Sequence, residues 1–573
     1  MQQSIVIDQS GSTLKHDIIL IGIMAVLAAC GLIYEYLLSH YAGRVIGVMD
    51  SAIYAMIGIM IVAMGLGAFL AKWIDDPFTG FTCLELLIGL FGGTSILLIA
   101  GIISLSYTLP QELQAIYGLH HSITTNGGVI QLLQNTVYFT PFICGFVLGV
   151  MIGMEIPLIA RIREILHGQH LAHNTGTIYG ADYIGAGIGA AIWIIVCLKQ
   201  PIIVSAIGTA SINTLMGLVF LYHYQSHIKK AGILWALHFA LIALLIVMSI
   251  VGVKISNGMN SSFFKDEVVY TKVTPYQHIT LTKRNAGKGV PVVYSLYLNG
   301  RLQFSSNDEA IYHSYLTYPA MLASARHDHI LVIGGGDGLA VRDILKWDPV
   351  TITLVDLDRD MINLFSGKDT QAPTYLNEKL LTLNKSAFLD PRVTVISADA
   401  FIEVETMISD QKRFDTIIVD LPDPSHPDLN KLYSNYFYLR LKELLQGDGV
   451  IAIQSTSPYH AKKAFISIGK TLADAGFTTQ QYHANVPTFG EWGWTMGTVH
   501  GKNALDRIQA VTNLLVDDRW VSKEQLLAAF VFSPSFYQHV DDILVNELGS
   551  HQIYHYHHDA WAGNDGLFIM DNE

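Results

Sequence analysis

Seven long apolar runs constrain this chain more than any other feature. They cover roughly 17–39, 52–74, 83–107, 136–160, 177–198, 201–222 and 232–253. As a helix, each can cross about 30 Å of hydrocarbon. Lipid offers no partner for an open backbone, so the first 254 residues are expected to form a polytopic α-helical membrane bundle of about seven spans. The first run exceeds a signal-peptide core, follows a polar stretch with Asp8 and Asp17, and lacks a small-residue cleavage site, so it reads as retained. Residues 1–254 hold 9 Lys and Arg and 11 Asp and Glu, whereas 255–573 hold 26 and 37, a net charge of −11. An acidic half repels phosphate backbones and attracts cations, which excludes nucleic acid as a partner and favours a cationic small molecule. The 4 cysteines all fall in apolar runs, leaving the second half neither a disulfide framework nor a zinc cluster.

Small residues let membrane helices approach closely, and Gly58, Gly65 and Gly67, then Gly185, Gly187 and Gly189, are spaced for that. The latter three lie in GADYIGAGIGA, which looks like a nucleotide loop but has no strand before it, so helix packing is the reading. Glu35, Glu85, Glu155 and Asp182 sit in or beside spans, where a carboxylate marks a cation pathway or a structural hydrogen bond. Glu155 and Asp182 lie near run ends, which favours snorkelling to the interface. The loop 108–135 lacks Lys and Arg, while Lys72, Arg161, Arg163, Lys229 and Lys230 share the other side, cytoplasmic by the positive-inside rule. Seven spans then put residues 255–573 outside, against the cytoplasmic catalytic domain implied below. A re-entrant run, a hidden eighth span or a misleading charge bias would resolve the conflict.

After Lys254 the pattern shortens. EVVYTKVT, HITLTKR and VVYSLYLNGRLQF read as a small antiparallel sheet, residues 255–306, with turns at 285–289 and Asn299-Gly300. A helix over 308–325 leads into HILVIGG, TITLVDLD, RVTVISAD, DTIIVDLP and GVIAIQST, apolar strands separated by helices. Residues 307–500 are therefore a doubly wound, Rossmann-like α/β domain of the class I methyltransferase kind, whose ligands bind at the strand carboxyl ends. At those ends lie Gly334-Gly335-Gly336-Asp337-Gly338, a turn allowing close approach of a nucleoside, and Asp356, placed to hold ribose hydroxyls. Asp399-Ala400 is placed to meet an adenine amino group. Asp420-Leu421-Pro422-Asp423-Pro424 is a rigid turn projecting two carboxylates. Each Asp alone also fits a helix cap or turn. Five acids at successive strand ends make a mouth suited to an uncharged nucleoside with a cationic arm.

Tyr276-Gln277-His278-Ile279, Leu298-Asn299-Gly300-Arg301-Leu302-Gln303, Asp308-Glu309, Tyr312-His313, the glycine loop, Asp390-Pro391-Arg392-Val393, Asp420 to Pro424 and Val486-Pro487-Thr488 occur in an order and spacing that resemble the spermidine synthase family of polyamine aminopropyltransferases. The resemblance spans about 266–500, and the apolar half looks like that family's membrane-attached branch. It implies transfer of an aminopropyl group from the co-substrate decarboxylated S-adenosylmethionine to a diamine, commonly putrescine, giving spermidine and methylthioadenosine. By resemblance, Gln277, Gly335, Asp356, Asp399 and Ala400 would contact the nucleoside. His313, Asp337, Tyr312 and Asp423 would hold the amino groups, and Asp420 would accept the proton. It also implies a homo-oligomer at the cell membrane. Phe489 stands where the family commonly has Tyr, and Leu421-Pro422 replaces small polar residues.

The chemistry agrees: a sulfonium is an activated leaving group, so the protein mainly aligns nitrogen, carbon and sulfur and keeps the attacking amine neutral. A methyltransferase of the same fold has less reason for Asp337, because its ligand keeps a carboxylate. A polyamine transporter or sensor that only binds is the reading from another class. The tail 501–573, with His551, His555, His557 and His558, reads as a solvated or membrane-facing extension, and no metal is assigned.

Overall fold

The computed structural model describes residues 10–46, 49–116, 128–167, 174–264, 266–285, 287 and 289–561. They fall into two compact units, Met1–Val269 and Tyr270–Glu573. The first contains α1 (Ser10–Ile46), α2 (Met49–Leu70), α3 (Pro77–Ile116), α4 (Gly128–Gly153), α5 (Glu155–His167), α6 (Asn174–Ile195), α7 (Ile202–Tyr224) and α8 (Ala231–Phe263). Among the described residues seven segments are long and apolar enough to cross a membrane, with α4 and α5 sharing the segment Thr136–His167. The expected loop 108–135 is corrected: α3 runs to Ile116 and α4 starts at Gly128, while 117–127 lie outside the described residues. The last helix also outruns its apolar core, continuing ten residues past 253 to Phe263.

Glycine sets the closest approaches. A Cβ on Gly185 or Gly189 of α6 would lie 2.0 or 2.6 Å from the carbonyl oxygens of Ala25 or Ala29 on α1. Gly67 and Gly153 meet carbonyls of Val150 and Met64 across the α2–α4 contact in the same way. Gly58, Gly65 and Gly187 correct the sequence reading, since they face open space. A second correction concerns Glu155, which does not snorkel: it is 1% exposed, inside Thr136–His167. Glu85 is equally buried and accepts a hydrogen bond from Asn213 Nδ2 at 2.9 Å. Two of the basic residues counted for orientation serve the bundle internally. Arg163 Nε pairs with Asp17 at 3.0 Å, and Arg161 Nη1 donates to the Ile74 carbonyl at 2.7 Å.

The second unit opens with an antiparallel sheet, β1 (Glu267–Val273), β2 (His278–Arg284), β3 (Val293–Leu298) and β4 (Arg301–Ser305), in that order. Asn299 and Gly300, both at positive φ, make the expected turn. Then come α9 (Glu309–Ala323), β5 (His329–Gly334), α10 (Leu339–Leu345), β6 (Thr351–Asp356), α11 (Arg359–Phe365), α12 (Thr374–Leu383), β7 (Val393–Ser397), α13 (Ala400–Ser409), β8 (Phe414–Asp420), α14 (Asn435–Leu444), β9 (Leu445–Gln454), α15 (Lys462–Asp474), β10 (Thr478–Val486) and β11 (Gly490–Thr498). The sheet order is β10-β11-β9-β8-β5-β6-β7. Strands β5 to β9 are parallel, as their apolar runs require, and β11 is antiparallel to both neighbours. The last two strands were not legible: TTQQYHANV is polar, and GEWGWTMGT is rich in glycine.

The tail also departs from expectation. Its helices α16 (Ala504–Ala510), α17 (Lys523–Ala528) and α18 (Gln552–Trp561) belong to the fold. Ile508 and Leu526 join the core on one face of the sheet, and Ile553 and Ala560 join that on the other.

The glycine geometry yields a paired test. Gly185→Val forces α6 off the α1 backbone and should destabilise the bundle by about 1–3 kcal/mol, whereas Gly187→Val should be neutral. Thermal unfolding of both variants in detergent distinguishes them.

Candidate active site

The site begins where β5 and β8 end side by side. Gly334 has φ +79°, and a Cβ there would lie 2.1 Å from the Asp420 carbonyl oxygen. Only glycine permits that approach. The Gly335 amide then donates to the same oxygen at 3.0 Å, so loop and acid are tied through the backbone. One residue on, the Gly336 amide donates to Asp356 Oδ2 at 3.1 Å, and the Asp358 amide to Asp356 Oδ1 at 2.8 Å. Burial raises the Asp356 carboxyl to about 6. Gln277 reaches this corner through a residue that sequence reasoning passed over. Its Nε2 donates to Asp358 Oδ2 at 2.8 Å, and the Thr274 hydroxyl donates to the same oxygen at 2.8 Å. The strand-end pattern Asp356-Leu357-Asp358 was the available signal.

His313, Asp337 and Asp420 each offer a polar atom within 4.8 Å of the others. His313 is held by Glu309, whose backbone and side-chain oxygens lie 2.8 and 3.0 Å from Nδ1. Burial opposes charge on this ring, but the Glu309 bond and carboxylate, then Asp337 and Asp420, lift its pKa to about 9. These carboxylates favour the protonated, cationic form of the imidazole. Its Nε2 stands 4.0 Å from Asp420 Oδ2, and the Tyr312 hydroxyl donates to Asp420 Oδ1 at 2.9 Å. Burial is the main cause that lifts Asp420 to about 6; His313 opposes it and Asp337 adds to it. Asp337 is likewise raised, chiefly by burial.

Behind this cluster Arg342 grips Glu309 through both oxygens, at 2.7 and 3.0 Å, and also bonds Asp343 at 2.9 Å. This locks α9 to α10. Although burial pushes the other way, the bonds from His313 and Arg342 hold Glu309 down at about 2. At the start of α9, Asp308 accepts from the Thr488 hydroxyl at 2.7 Å and from its amide at 2.6 Å, joining two motifs 180 residues apart. Phe489 packs edge-on to Tyr312, and Trp494 lies 5.7 Å from the same ring.

Asp399 and Ala400 stand at the start of α13. Asp399 Oδ1 caps that helix through the Phe401 amide at 2.9 Å, and Oδ2 pairs with Lys431 at 2.7 Å, a partner the sequence did not disclose. Asp423 turns to other groups. Gln454 Nε2 donates to its Oδ1 at 2.6 Å, and His557 Nε2 lies 3.2 Å from its Oδ2. Burial alone would raise this carboxyl, but His557 and Gln454 hold it below the usual range. The solvated reading of the histidine tail is corrected at one position: α18 is a helix in which His557 is 1% exposed, whereas His551, His555 and His558 are exposed. Ile553, His557 and Trp561 recur every four residues, the helical signal that was present in the sequence.

Glu309→Ala leaves Arg342 with Asp343 as its one remaining carboxylate partner and should cost about 1.5–3 kcal/mol at neutral pH. Because the folded pKa of Glu309 is depressed, its contribution is full above about 4.5 and is lost as pH falls toward about 2. The gap between parent and variant should therefore close on acidification, as read from unfolding of the C-terminal unit in the detergent-solubilised chain.

Comparison with known proteins extends the picture. Residues 309–509 match the spermine/spermidine synthase domain. The whole chain is similar to a polyamine aminopropyltransferase of Shewanella oneidensis, 52% identical over 97% of this chain and 96% of that one. Polyamine aminopropyltransferase 2 of Ralstonia nicotianae is 31% identical over 96% and 99% of the two chains. Polyamine aminopropyltransferase 1 of Streptomyces coelicolor is 32% identical over 82% and 81%.

Proposed function

The chain belongs to the polyamine aminopropyltransferase family, and from that premise we propose that it moves an aminopropyl group from decarboxylated S-adenosylmethionine to putrescine, giving spermidine and methylthioadenosine. One observation carries the reading: Asp420, bonded to Tyr312 beside the glycine loop and lifted to about 6, is a carboxylate adjusted for proton transfer near neutrality.

Putrescine arrives as a dication, and so does the donor, with its sulfonium and its ammonium. An ammonium has no lone pair, so the attacking nitrogen first gives a proton to Asp420. The nitrogen pair then forms a bond to the propyl carbon as the carbon–sulfur bond breaks and its electrons return to sulfur. Methylthioadenosine leaves uncharged, spermidine leaves as a trication, and one proton remains to be released. Asp337 faces the arm's ammonium as a counterion, and Asp423 and Tyr312 hold the diamine. Around the nucleoside, Asp356 takes the ribose hydroxyls, with Gln277 steadied on Asp358, Gly335 allowing close approach and Asp399-Ala400 at the base. Lys431 pairs with Asp399, so an adenine amino group would replace or share that contact. The charged His313 fixes the orientation of Asp420 and moderates the repulsion between it and Asp337. The length and hydropathy of the seven helices support placement in a lipid bilayer. A cytoplasmic C-terminal unit would suit substrates drawn from the cytosol.

Incubating the full chain with decarboxylated S-adenosylmethionine and a panel of diamines, scored by mass spectrometry, should give methylthioadenosine and an aminopropylated amine. Absence of both products overturns the reading. Asp420→Asn should slow the single-turnover step by about 10²- to 10⁴-fold with nucleoside affinity little changed. The base works only when ionised, so the parental rate should climb as pH rises through about 6, and the variant should lose that limb. Asp356→Ala should weaken methylthioadenosine binding by about 2–4 kcal/mol in calorimetry.

A further inference from the structure

The helix α18 ends against an acid of the crevice, 134 residues earlier in the chain. It is firmly seated. Ile553 is fully buried, its amide donates to Asn546 Oδ1 at 3.2 Å, and Asn546 Nδ2 donates to the carbonyls of Asn430 and Tyr433 at 3.2 and 3.1 Å. This anchoring delivers His557 to Asp423, with Trp561 Nε1 3.0 Å from the same imidazole nitrogen that faces the carboxylate. An indole N–H only donates. If His557 Nε2 carries a proton it donates to Asp423 Oδ2 and cannot accept from Trp561; if it does not, its one lone pair accepts from Trp561 and Asp423 loses that donor. Gln454 holds Asp423 Oδ1 at 2.6 Å in both states. Arg301 lies within electrostatic reach of Asp423, and the Trp561 ring packs 4.0 Å from that of His460.

We propose that His557 is a specificity-determining residue: with Trp561 it closes the far end of the acceptor pocket and restricts the acceptor to diamines, excluding amines that carry a third ammonium beyond Asp423. The inference rests on the reading above, in which Asp423 holds the far nitrogen of the acceptor. A carboxylate has about four lone-pair sites, so Asp423 can take one ammonium while Gln454 and His557 stay in place. A triamine asks for more. Its added methylenes and third ammonium have to pass through the volume filled by His557 and Trp561 and approach the Arg301 guanidinium, whose charge repels them.

The test is kcat/KM for spermidine relative to putrescine, measured on the full-length protein with decarboxylated S-adenosylmethionine. His557→Ala should raise that ratio by about tenfold or more, the scale on which pocket size discriminates substrates, and leave KM for the donor unmoved. His557→Gln, which keeps an N–H for Asp423, should stay near the parental ratio. Trp561→Ala should move the ratio in the same direction as His557→Ala. The Trp561 side chain is 55% exposed, so its removal does not empty the core, and this variant decides the matter should His557→Ala not fold. A ratio within about twofold of the parent's in the folded variants overturns the inference. So does a parallel loss for both amines together with a raised donor KM, the signature of a merely structural helix. Should the parental protein aminopropylate neither amine, the reaction assigned above fails; turnover of putrescine with an unmoved ratio overturns the specificity role alone.

Discussion

The contact of Gly334 with the Asp420 carbonyl is the constraint from which the rest of the site follows. Parallel pairing of β5 and β8 brings two loops to one edge, and the absent side chain lets them touch. Asp420 is then fixed through its backbone, which leaves its carboxylate free to face Tyr312 and His313. The following glycine amide reaches Asp356, so the acid expected at the ribose and the acid expected at the amine are held by adjacent links of one short turn. Shifting this turn would displace both acids at once.

Burying so many carboxylates requires graded compensation. Glu309 is fully paired by Arg342 and His313 and stays ionised well into acid. Asp420 is less paired, with one phenol and a more distant imidazole, and burial lifts it to about 6. The two acids differ in the number and closeness of their donors. Asp423 lies between these cases, shared by an amide and an imidazole.

Much of this was legible. Five apolar strands separated by helices fix a doubly wound sheet, and the rule that ligands meet strand carboxyl ends picks out Asp337, Asp356 and Asp420 without coordinates. The polar strand β10 and glycine-rich β11 were not legible, because they take their stability from Tyr482 and Trp494 packing on α9 rather than from local pattern. Pairings such as Thr488 with Asp308, Asn213 with Glu85 and His557 with Asp423 join residues more than a hundred positions apart. Periodicity says which side of a helix is apolar; it does not say which distant acid that helix will meet. The same limit applies to glycine in the bundle, where spacing suggested six contacts and the structure uses Gly67, Gly185 and Gly189.

The seating of Gly185 and Gly189 on Ala25 and Ala29 has a consequence for biogenesis. At a synthesis rate of about 5–20 residues per second, some ten to thirty seconds separate the emergence of α1 from that of α6. During that interval α1, with Glu35 in its second half, lacks the helix whose backbone fits its own. Lipid or the insertion machinery has to shelter that face meanwhile. Closure of the α1–α6 contact is thus timed by translation.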